Sequence, residues 1–517
     1  MYDLIIKNGF IVDGTGMPSY RADIAIQGGK IVRIGRGLSI AKAEIDATGL
    51  TVTPGFIDSH SHSDSTVLTY SDQLEKIEQG ITTSIAGQCG TTLAPISRDI
   101  TPENASMVEG FGLDTDIYRT MGSFLDTAKD VPQGSNIAIL TGHSALRKAV
   151  MGMENREPTE DELEKMKELL RDGLDHGSIG ISFGLIYPPS CYAKTDELIE
   201  LAKVVGEYHG LVTAHIRNEG DYLVKATEEF LTVLRESGNR GVLSHHKTAY
   251  SENWGKVVHT LRMLDEANAS GTEVFCDVYP YVASHTSLAA YLVPKEYHAF
   301  GLQKVLSDPD LYSKIRQHAL ETKGAKLDWI RLAICTGYPE MQGKLVSEAA
   351  ELWGVDGIDA ALIMIRDSKI CQGCFFSMCE EDVETVMSYP RAMICTDSGV
   401  ARDMKVYHPR LRGTFPRALG RYVRERGVVS LPEMIRKMTS MPAAVYELSG
   451  KGLIREGYDA DICIFDADKI IDHAEYTDCH KRAEGLNYVI LGGEVVVEDA
   501  VHNGKRMGKV ILRERNT

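Results

Sequence analysis

Residues 54–62 read Pro-Gly-Phe-Ile-Asp-Ser-His-Ser-His, so a short apolar strand runs directly into two histidines, His60 and His62. Side chains alternate along a strand, and positions i and i+2 therefore point to the same side. Two imidazoles on one side of a strand end can together bind one divalent metal ion. On spacing alone, a polar turn with two incidental histidines remains the alternative interpretation.

Four further apolar strands end in residues of the types that bind metals. Cys89 follows one strand between glycines, His215 and the adjacent pair His245 and His246 follow two others, and Asp397 follows a fourth. A single histidine after a strand is more often a hydrogen-bonded structural residue than a ligand. Five matching strand ends carry more weight, because the C-terminal ends of parallel strands in a barrel meet at one face. The pattern predicts that these residues converge on one metal centre.

Between these strand ends the chain alternates strands with helical patterns. Thr159 and Glu162 have the spacing of a capping box, and apolar residues then recur at helical intervals over 163–174. Repeated β-α units in this number predict a parallel sheet, either closed into a barrel or doubly wound. A charged helical stretch within about 284–346 interrupts the alternation and indicates an insertion.

The two ends of the chain have a different character. Short β-rich runs separated by Gly-Gly and Asp-Gly turns fill the first fifty residues, and a similar pattern returns in about the last seventy. We therefore expect one discontinuous β domain, made from residues 1–54 and 448–517, beside a central unit at 55–447.

The composition excludes several classes of protein. The chain has 517 residues, of which 43% are hydrophobic and 25% charged, unlike disordered, collagen-like or coiled-coil proteins. Its formal net charge of −17 is unlike the basic charge typical of nucleic-acid-binding proteins. No apolar run approaches the roughly 18 residues of a membrane helix, and the start lacks the features of a signal peptide. The ten cysteines are scattered like reduced thiols, so we expect a cytoplasmic protein. From the charge and the lack of a long apolar run, we expect neither a nucleic-acid nor a membrane partner.

Six short motifs together resemble a known family. They lie at residues 54–62, 88–90, 142–147, 244–247, 396–399 and 408–417. The sequence resembles the amidohydrolase superfamily and, within it, the N-acyl-D-amino-acid deacylases, also called D-aminoacylases, over nearly the whole chain. Cys89 stands in place of the usual metal-bridging lysine of that superfamily, and with His408-Pro409-Arg410 it narrows the resemblance to the deacylase branch.

The resemblance implies both a fold and a cofactor. The implied fold is α/β, a TIM-like (β/α)8 barrel with a small discontinuous β-sandwich formed by both termini and an inserted helical segment. Zinc is the implied cofactor, bound tightly by Cys89, His215 and His245, since a thiolate and two imidazoles suit that ion. A second zinc position, weaker or empty, is implied for His60, His62, Asp397 and a shared Cys89.

The resemblance also implies how the reaction is divided among residues. Asp397 would take a proton from zinc-activated water as general base and return it to the leaving amine as general acid. Arg410 offers a planar fork to the substrate α-carboxylate. Tyr187 would polarise the scissile carbonyl together with the zinc. The other implied substrate contacts are Lys247, Tyr279 and Ser284.

Some of these assignments have close competitors in the sequence. His246 is adjacent to His245 and would face the opposite way along a strand. Tyr281 lies two residues after Tyr279 and would face the same side. Cys371 and Cys374 have the spacing of a redox or zinc pair, but ordinary thiols are the favoured interpretation.

Three functions are compatible with these patterns. The leading hypothesis is hydrolysis of a small-molecule N-acyl-D-amino acid to a carboxylate and a free D-amino acid. The alternative within the superfamily is cyclic-amide hydrolysis of the hydantoinase or dihydroorotase type, which usually needs a carbamylated lysine where this chain has Cys89. The third is a non-catalytic metal-binding protein of the same fold. The sequence leaves open the side-chain and acyl preferences, the number of bound metals and the oligomeric state.

Overall fold

The computed structural model describes residues 1–96, 115–402 and 404–514. Its strands are numbered β1–β22 along the chain. The first five are β1 Tyr2–Ile11, β2 Tyr20–Gln27, β3 Lys30–Gly35, β4 Ala41–Asp46 and β5 Thr51–Pro54. The next eight are β6 Phe56–Asp58, β7 Ile81–Ala86, β8 Asn136–Ile139, β9 Thr141–Gly142, β10 Gly180–Gly184, β11 Leu211–His215, β12 Gly241–Leu243 and β13 Val274–Val278. The rest are β14 Ser284–Ser287, β15 Ile330–Cys335, β16 Cys371–Phe375, β17 Ala392–Ile394, β18 Ile462–Phe465, β19 Leu486–Leu491, β20 Glu494–Glu498, β21 Val501–His502 and β22 Val510–Ile511.

The α-helices of the described chain are numbered α1–α16. The first seven are α1 Leu74–Ile77, α2 Met121–Ala128, α3 His143–Met151, α4 Glu160–Asp175, α5 Thr195–Glu207, α6 Leu223–Ser237 and α7 Val257–Ala269. The others are α8 Leu288–Leu292, α9 Leu302–Ser307, α10 Pro309–Lys323, α11 Val346–Trp353, α12 Gly357–Asp367, α13 Glu380–Ser388, α14 Arg410–Arg417, α15 Leu431–Met438 and α16 Ser440–Val445. A π-helix spans Ala418–Glu425. Within the described ranges, no helix is long and apolar enough to cross a membrane.

Parallel strands close into a barrel. β6, β7 and β8 pair in that order, and β9 continues β8 beside β10, β11, β12, β13 and β17. The last strand meets the first where the Asp397 N–H donates to the His60 carbonyl at 2.9 Å and Ser61 bridges to Ser398. The TIM-like (β/α)8 prediction is therefore confirmed. The doubly wound alternative is excluded, because the barrel strands of the described residues follow one another in a single direction and the last meets the first.

The helix predicted after Thr159 shows how the barrel helices form. The Thr159 hydroxyl accepts a hydrogen bond from the Glu162 N–H, while the Glu162 carboxylate accepts one from the Thr159 N–H. This reciprocal cap begins α4, as the spacing predicts. Met166 and Leu170 are buried on the face of α4 that belongs to the same core as Ile181 of β10. The apolar stripe therefore packs the helix on the barrel.

Strands from both chain ends build one nine-stranded sheet, in the order β21-β20-β19-β18-β5-β1-β2-β3 with β4 beside β1. The antiparallel pair of β5 and β18 joins the two halves. This is the β-rich domain expected from the termini. The C-terminal segment expected at 448–517 does not stay wholly within it, because Val510 and Ile511 of β22 pair with β8 of the barrel.

A separate small sheet and its helices lie between Ser284 and Phe375, a span that includes the insertion expected at about 284–346 and continues past it. β14, β16 and β15 form an antiparallel sheet with β16 at its centre. Helices α8 to α12 pack around a hydrophobic core formed within 288–375. Because β16 is the central strand, residues 346–375 belong to this unit. Their strand and helix pattern resembles the β-α repeat of the barrel, so the sequence alone did not mark the boundary.

Candidate metal centre and active site

The C-terminal ends of the barrel strands open into a cavity of about 450 Å³. Its wall includes residues of β14 and α8 from the insertion. Ten of the eleven residues predicted for the site line this cavity, namely His62, Cys89, Tyr187, His215, His245, Lys247, Tyr279, Ser284, Asp397 and Arg410. The eleventh, His60, is fully buried beside Cys89.

Cys89, His215 and His245 converge from the ends of β7, β11 and β12. Cys89 Sγ lies 3.6 Å from His215 Nδ1 and 3.4 Å from His245 Nε2. In a tetrahedral zinc site, with Zn–S about 2.3 Å and Zn–N about 2.0–2.1 Å, a sulfur and a nitrogen ligand lie about 3.6 Å apart. The three donor atoms are thus spaced as ligands of one zinc ion.

A second group of donors shares the same sulfur. His60 Nε2 lies 3.3 Å from Cys89 Sγ and 3.5 Å from Asp397 Oδ1, and His62 Nε2 lies 3.1 Å from the same carboxylate oxygen. Within this second group all donor atoms lie within 4.8 Å of one another, and the same holds within the first trio. Cys89 therefore stands between two candidate metal positions, as the resemblance implies.

The surroundings of Cys89 favour a thiolate. Burial by itself raises the pKa of Cys89, but the positive charges of His60 and His245 and a hydrogen bond from His215 outweigh burial. The resulting pKa of the Cys89 thiol lies well below its usual value. A thiolate is the form in which cysteine binds metals, so the chemistry of the donor set agrees with its spacing.

Three residues of the centre have left-handed backbone conformations. The φ angles are 53° at Cys89, 35° at His245 and 47° at Asp397. Each such conformation costs a non-glycine residue about 1–3 kcal/mol and persists only where surrounding contacts enforce it. Here, hydrogen bonds from the Asp397 N–H to the His60 carbonyl and from the His245 N–H to Asp277 hold the backbone. The strained turns aim three side chains into one place.

Arg410 reaches the site from the start of α14 and pairs with Asp397. Arg410 Nη1 donates to Asp397 Oδ2 at 2.6 Å, and the guanidinium lies 4.8 Å from the centre of the Tyr279 ring. Burial alone raises the pKa of Asp397, but Arg410 and then His245 and His62 hold it well below its usual range. Arg410 Nε is buried and has no hydrogen-bond partner among the described residues.

The remaining predicted substrate contacts also lie in the wall of the cavity. Tyr187 packs its ring against His215 at 5.0 Å between ring centres, and its hydroxyl shares a 3.0 Å hydrogen bond with Thr286. Lys247 forms an ion pair with Glu219, so its ammonium is already neutralised. Ser284 begins β14 at the cavity edge.

Two competing residues face elsewhere. His246 Nε2 hydrogen-bonds Thr260 at 2.8 Å beneath α7, away from the donors. The Tyr281 hydroxyl lies 3.3 Å from Asp472, outside the cavity lining. The expectation that Tyr281 and Tyr279 share a side is wrong, because β13 ends at Val278 and the strand alternation ends with it.

The pair Cys371 and Cys374 does not form one site. Cys371 stands opposite Cys335 in the antiparallel register of β16 and β15 and belongs to the core of the insertion. Cys374 packs in a separate small cluster that includes Ala333. The favoured interpretation of ordinary thiols agrees with this placement.

Two acids of the site, one fully buried and one partly buried, were missed by the sequence reasoning. Asp277 is fully buried at the end of β13, where it accepts a hydrogen bond from the His245 N–H and lies 3.7 Å from His60 Nδ1. Glu219 lies 3.2 Å from His245 Nδ1 and 3.7 Å from His215 Nε2. Their signals were an acid inside an apolar strand and an acid four residues after a candidate ligand.

A third acid, Asp58, is part of the opening motif and has a structural role. Its Oδ1 accepts a 2.8 Å hydrogen bond from the Thr396 N–H, and its Oδ2 pairs with Lys76 Nζ at 2.9 Å. Lys76 is fully buried and also donates to the Ser398 carbonyl at 2.7 Å. This buried network ties the end of β6 to the turn that carries Asp397.

Comparison with known proteins agrees with the geometry. The model of the Amidohydrolase family matches residues 43–308 and 399–497. The chain is 33% identical over 514 residues to a D-aminoacylase of Alcaligenes xylosoxydans xylosoxydans, covering 99% of this chain and 98% of that protein. It is 34% identical over 514 residues to an N-acyl-D-glutamate deacylase of the same organism, covering 99% and 97%.

A solved structure is similar over the same extent. The N-acyl-D-glutamate deacylase of Bordetella bronchiseptica, complexed with zinc and a phosphonate inhibitor that mimics the tetrahedral intermediate, has a TM-score of 0.84. Its sequence is 32% identical, and the match covers 99% of this chain and 100% of that one. By sequence and by fold, the chain belongs to the amidohydrolase family.

Proposed function

We propose that this protein is a zinc-dependent deacylase that hydrolyses N-acyl-D-amino acids to a carboxylate and a free D-amino acid. The observation that carries the proposal is Cys89, whose sulfur lies within 3.6 Å of imidazole nitrogens of His60, His215 and His245 at the mouth of the barrel. The relatives named above, a D-aminoacylase and two N-acyl-D-glutamate deacylases, support the same reaction class.

In this proposal Cys89, His215 and His245 hold the tight zinc, and His60, His62, Asp397 and the shared Cys89 form the second position. A zinc ion in such a site supplies Lewis acidity and makes water nucleophilic near neutral pH. The water oxygen forms a bond to the acyl carbon, and Asp397 accepts the proton that the water loses. Asp397 then gives that proton to the amide nitrogen as the C–N bond breaks, which releases the D-amino acid.

Arg410 and Tyr187 orient the substrate in this scheme. Arg410 binds Asp397 through Nη1, so the edge of the guanidinium that includes Nε remains for the substrate α-carboxylate. The Tyr187 hydroxyl donates a hydrogen bond to the scissile carbonyl oxygen, on which negative charge develops. We propose Tyr279, Lys247 and Ser284 as further contacts around the substrate, with Lys247 acting through its pair with Glu219.

The other two hypotheses are less well supported. Cyclic-amide hydrolysis of the hydantoinase type usually needs a carbamylated lysine between the metals, and here the shared donor is Cys89. Lys247 lines the cavity but is paired with Glu219, and Lys76 is buried against Asp58. A non-catalytic metal-binding protein has no need of the buried Asp397–Arg410 pair beside its donors.

The direct test is the hydrolysis of enantiomers. We expect the zinc-loaded protein to hydrolyse N-acetyl-D-methionine with a kcat/KM at least about 100-fold above that for the L-enantiomer, because fixing the carboxylate and the carbonyl leaves one direction for the side chain. Release of free amino acid, measured before and after chelation and zinc return, checks this. Equal turnover of both enantiomers, or none of either, would contradict the proposal.

The charges of the cavity also indicate which side chains it accepts. Among the described residues that line the cavity, the arginine and lysine side chains are those of Arg410 and Lys247. Arg410 pairs with Asp397 at 2.6 Å, and Lys247 pairs with Glu219 at 2.5 Å. Burial lowers the pKa of His285 to about 3, so that imidazole is neutral. We propose that one carboxylate of the substrate is accommodated at Arg410 and that a second would be buried without a partner.

One part of the wall is aromatic, and the serine, threonine and glutamine side chains elsewhere in the lining are uncharged. Tyr250, Tyr291 and Phe375 line the cavity and pack on one another, with ring centres 5.1 Å apart for Tyr291 and Phe375 and 5.9 Å apart for Tyr250 and Tyr291. Lys323 lies on the faces of Tyr250 and Tyr291 but is not part of the lining. This wall supports D-amino acids with neutral side chains as substrates.

Isosteric substrates test the charge preference. We expect N-acetyl-D-glutamine to have a kcat/KM about 100-fold above that of N-acetyl-D-glutamate, because an unpaired buried carboxylate costs about 3 kcal/mol or more. The two side chains match in shape, so their ratio isolates charge. N-acetyl-D-asparagine and N-acetyl-D-aspartate give a second pair. A ratio near one or below, with turnover intact, would reject the neutral preference but leave the deacylase reaction standing.

A further inference from the structure

Glu219 places one carboxylate oxygen against both imidazole ligands of the proposed tight zinc. Its Oε1 lies 3.2 Å from His245 Nδ1 and 3.7 Å from His215 Nε2. These are the nitrogens that point away from Cys89, since His245 Nε2 and His215 Nδ1 face its sulfur. The same Oε1 also pairs with Lys247 Nζ at 2.5 Å.

We propose that Glu219 is a positioning residue that holds His245 in its metal-binding tautomer. A neutral imidazole that gives one nitrogen to a metal carries its proton on the other, and that N–H needs an acceptor. Glu219 Oε1 lies 3.2 Å from the outward nitrogen of His245, whereas His215 Nε2, at 3.7 Å, is beyond hydrogen-bond distance and has no partner among the described residues. The other close neighbour of His245 Nδ1 is the Lys247 ammonium at 2.7 Å. An ammonium only donates, so it cannot accept from that N–H.

The Lys247 ammonium also contacts His245 Nδ1 and would favour the wrong tautomer unless Glu219 holds it. If Lys247 donates to His245 Nδ1, the imidazole proton must lie on Nε2, the nitrogen that faces Cys89 Sγ at 3.4 Å. That tautomer cannot bind a metal through Nε2. The carboxylate of Glu219 attracts the ammonium and offers the acceptor that the metal-binding tautomer needs. The Glu219–Lys247 pair therefore determines which ring nitrogen of His245 carries the proton. This inference rests on the proposed zinc site.

Substitution of Glu219 separates this role from simple packing. We expect Glu219→Gln to weaken zinc binding about 10- to 100-fold in competition with a chelator. The neutral amide no longer holds the Lys247 ammonium, which is then free to donate to His245 Nδ1. In the double variant with Lys247→Met, that donor is gone, and we expect at least a threefold recovery of zinc affinity. The visible spectrum of the cobalt-substituted protein should change with Glu219→Gln.

The chain offers a matched control at a second glutamate–histidine pair, which is buried. Glu197 accepts from His143 Nε2 at 2.8 Å and pairs with Arg147, outside the proposed donor set. We expect Glu197→Gln to change zinc affinity less than threefold, even where it lowers the melting temperature. Glu219→Asp, which keeps the charge, should lie between the wild type and Glu219→Gln.

Each outcome separates the inference from the proposed function. Zinc affinity and cobalt spectrum unchanged in Glu219→Gln would overturn the positioning role and leave the metal centre intact. Loss of affinity without recovery in the double variant would overturn the tautomer argument. A wild-type protein that binds no zinc would overturn the metal centre itself, and this inference with it.

Discussion

Asp397→Asn is expected to lower kcat by about three orders of magnitude while zinc remains bound by Cys89, His215 and His245. A general acid–base group contributes about 10²–10⁴ to the rate, and an amide can neither take the proton from water nor return it to the amine. The substitution is isosteric, and Asp397 lies outside the trio that the proposal assigns to the tight zinc. Zinc content at the tight site should therefore stay at the wild-type level.

The Michaelis constant of this variant carries separate information. Asp397 neutralises Arg410 through the 2.6 Å ion pair, and the asparagine variant removes that negative charge. The guanidinium should then attract the substrate carboxylate at least as strongly as before, so KM is expected to fall or stay unchanged. A fall in kcat without a rise in KM is typical of a group that acts on the reacting atoms.

A carboxylate outside the cavity lining provides the control for Asp397. Asp382 accepts hydrogen bonds from the Gly255 N–H at 2.9 and 3.0 Å and is not part of the cavity wall. Asp382→Asn should keep kcat within about threefold of wild type. If Asp397→Asn retains more than about a tenth of the wild-type kcat in steady-state assays, Asp397 is not the general base.

Much of the donor set could be predicted from local sequence. In a parallel barrel the strand ends share one face, so a cysteine, a histidine or an aspartate directly after an apolar run is placed by the strand itself. Cys89, His215, His245 and Asp397 all follow that rule, and the structure brings their side chains together. These four residues could be predicted because the barrel topology places them, without knowledge of their contacts.

The partners of these residues could not be predicted in the same way. The pairs Arg410–Asp397 and Glu219–Lys247 join side chains from different segments, and local spacing does not report such distances. Tyr281 does not line the cavity because its strand ends at Val278, and strand ends are uncertain by about two to four residues from sequence. Contacts made after the regular elements end depend on the tertiary structure.

Removal of the shared sulfur is expected to have the broadest effect. Cys89→Ala should release zinc from the tight site and reduce turnover of N-acetyl-D-methionine at least about 1000-fold. Loss of an outer hydrogen-bond partner costs about 10- to 100-fold in metal affinity, and loss of one of three protein ligands should cost more. Because Cys89 also lies 3.3 Å from His60, the variant impairs both candidate positions at once.

Cys276→Ala is the matched control, since it removes the same atom from a fully buried cysteine of β13 outside the cavity. Zinc per chain, measured by metal analysis after dialysis, should stay at the wild-type value in Cys276→Ala and fall in Cys89→Ala. The His215→Ala variant keeps the sulfur but lacks one nitrogen of the first trio, so it should lose the tight zinc alone. If Cys89→Ala kept its zinc and its turnover, the metal would have to be held without the sulfur, and the ligand sets assigned to both candidate positions would be wrong.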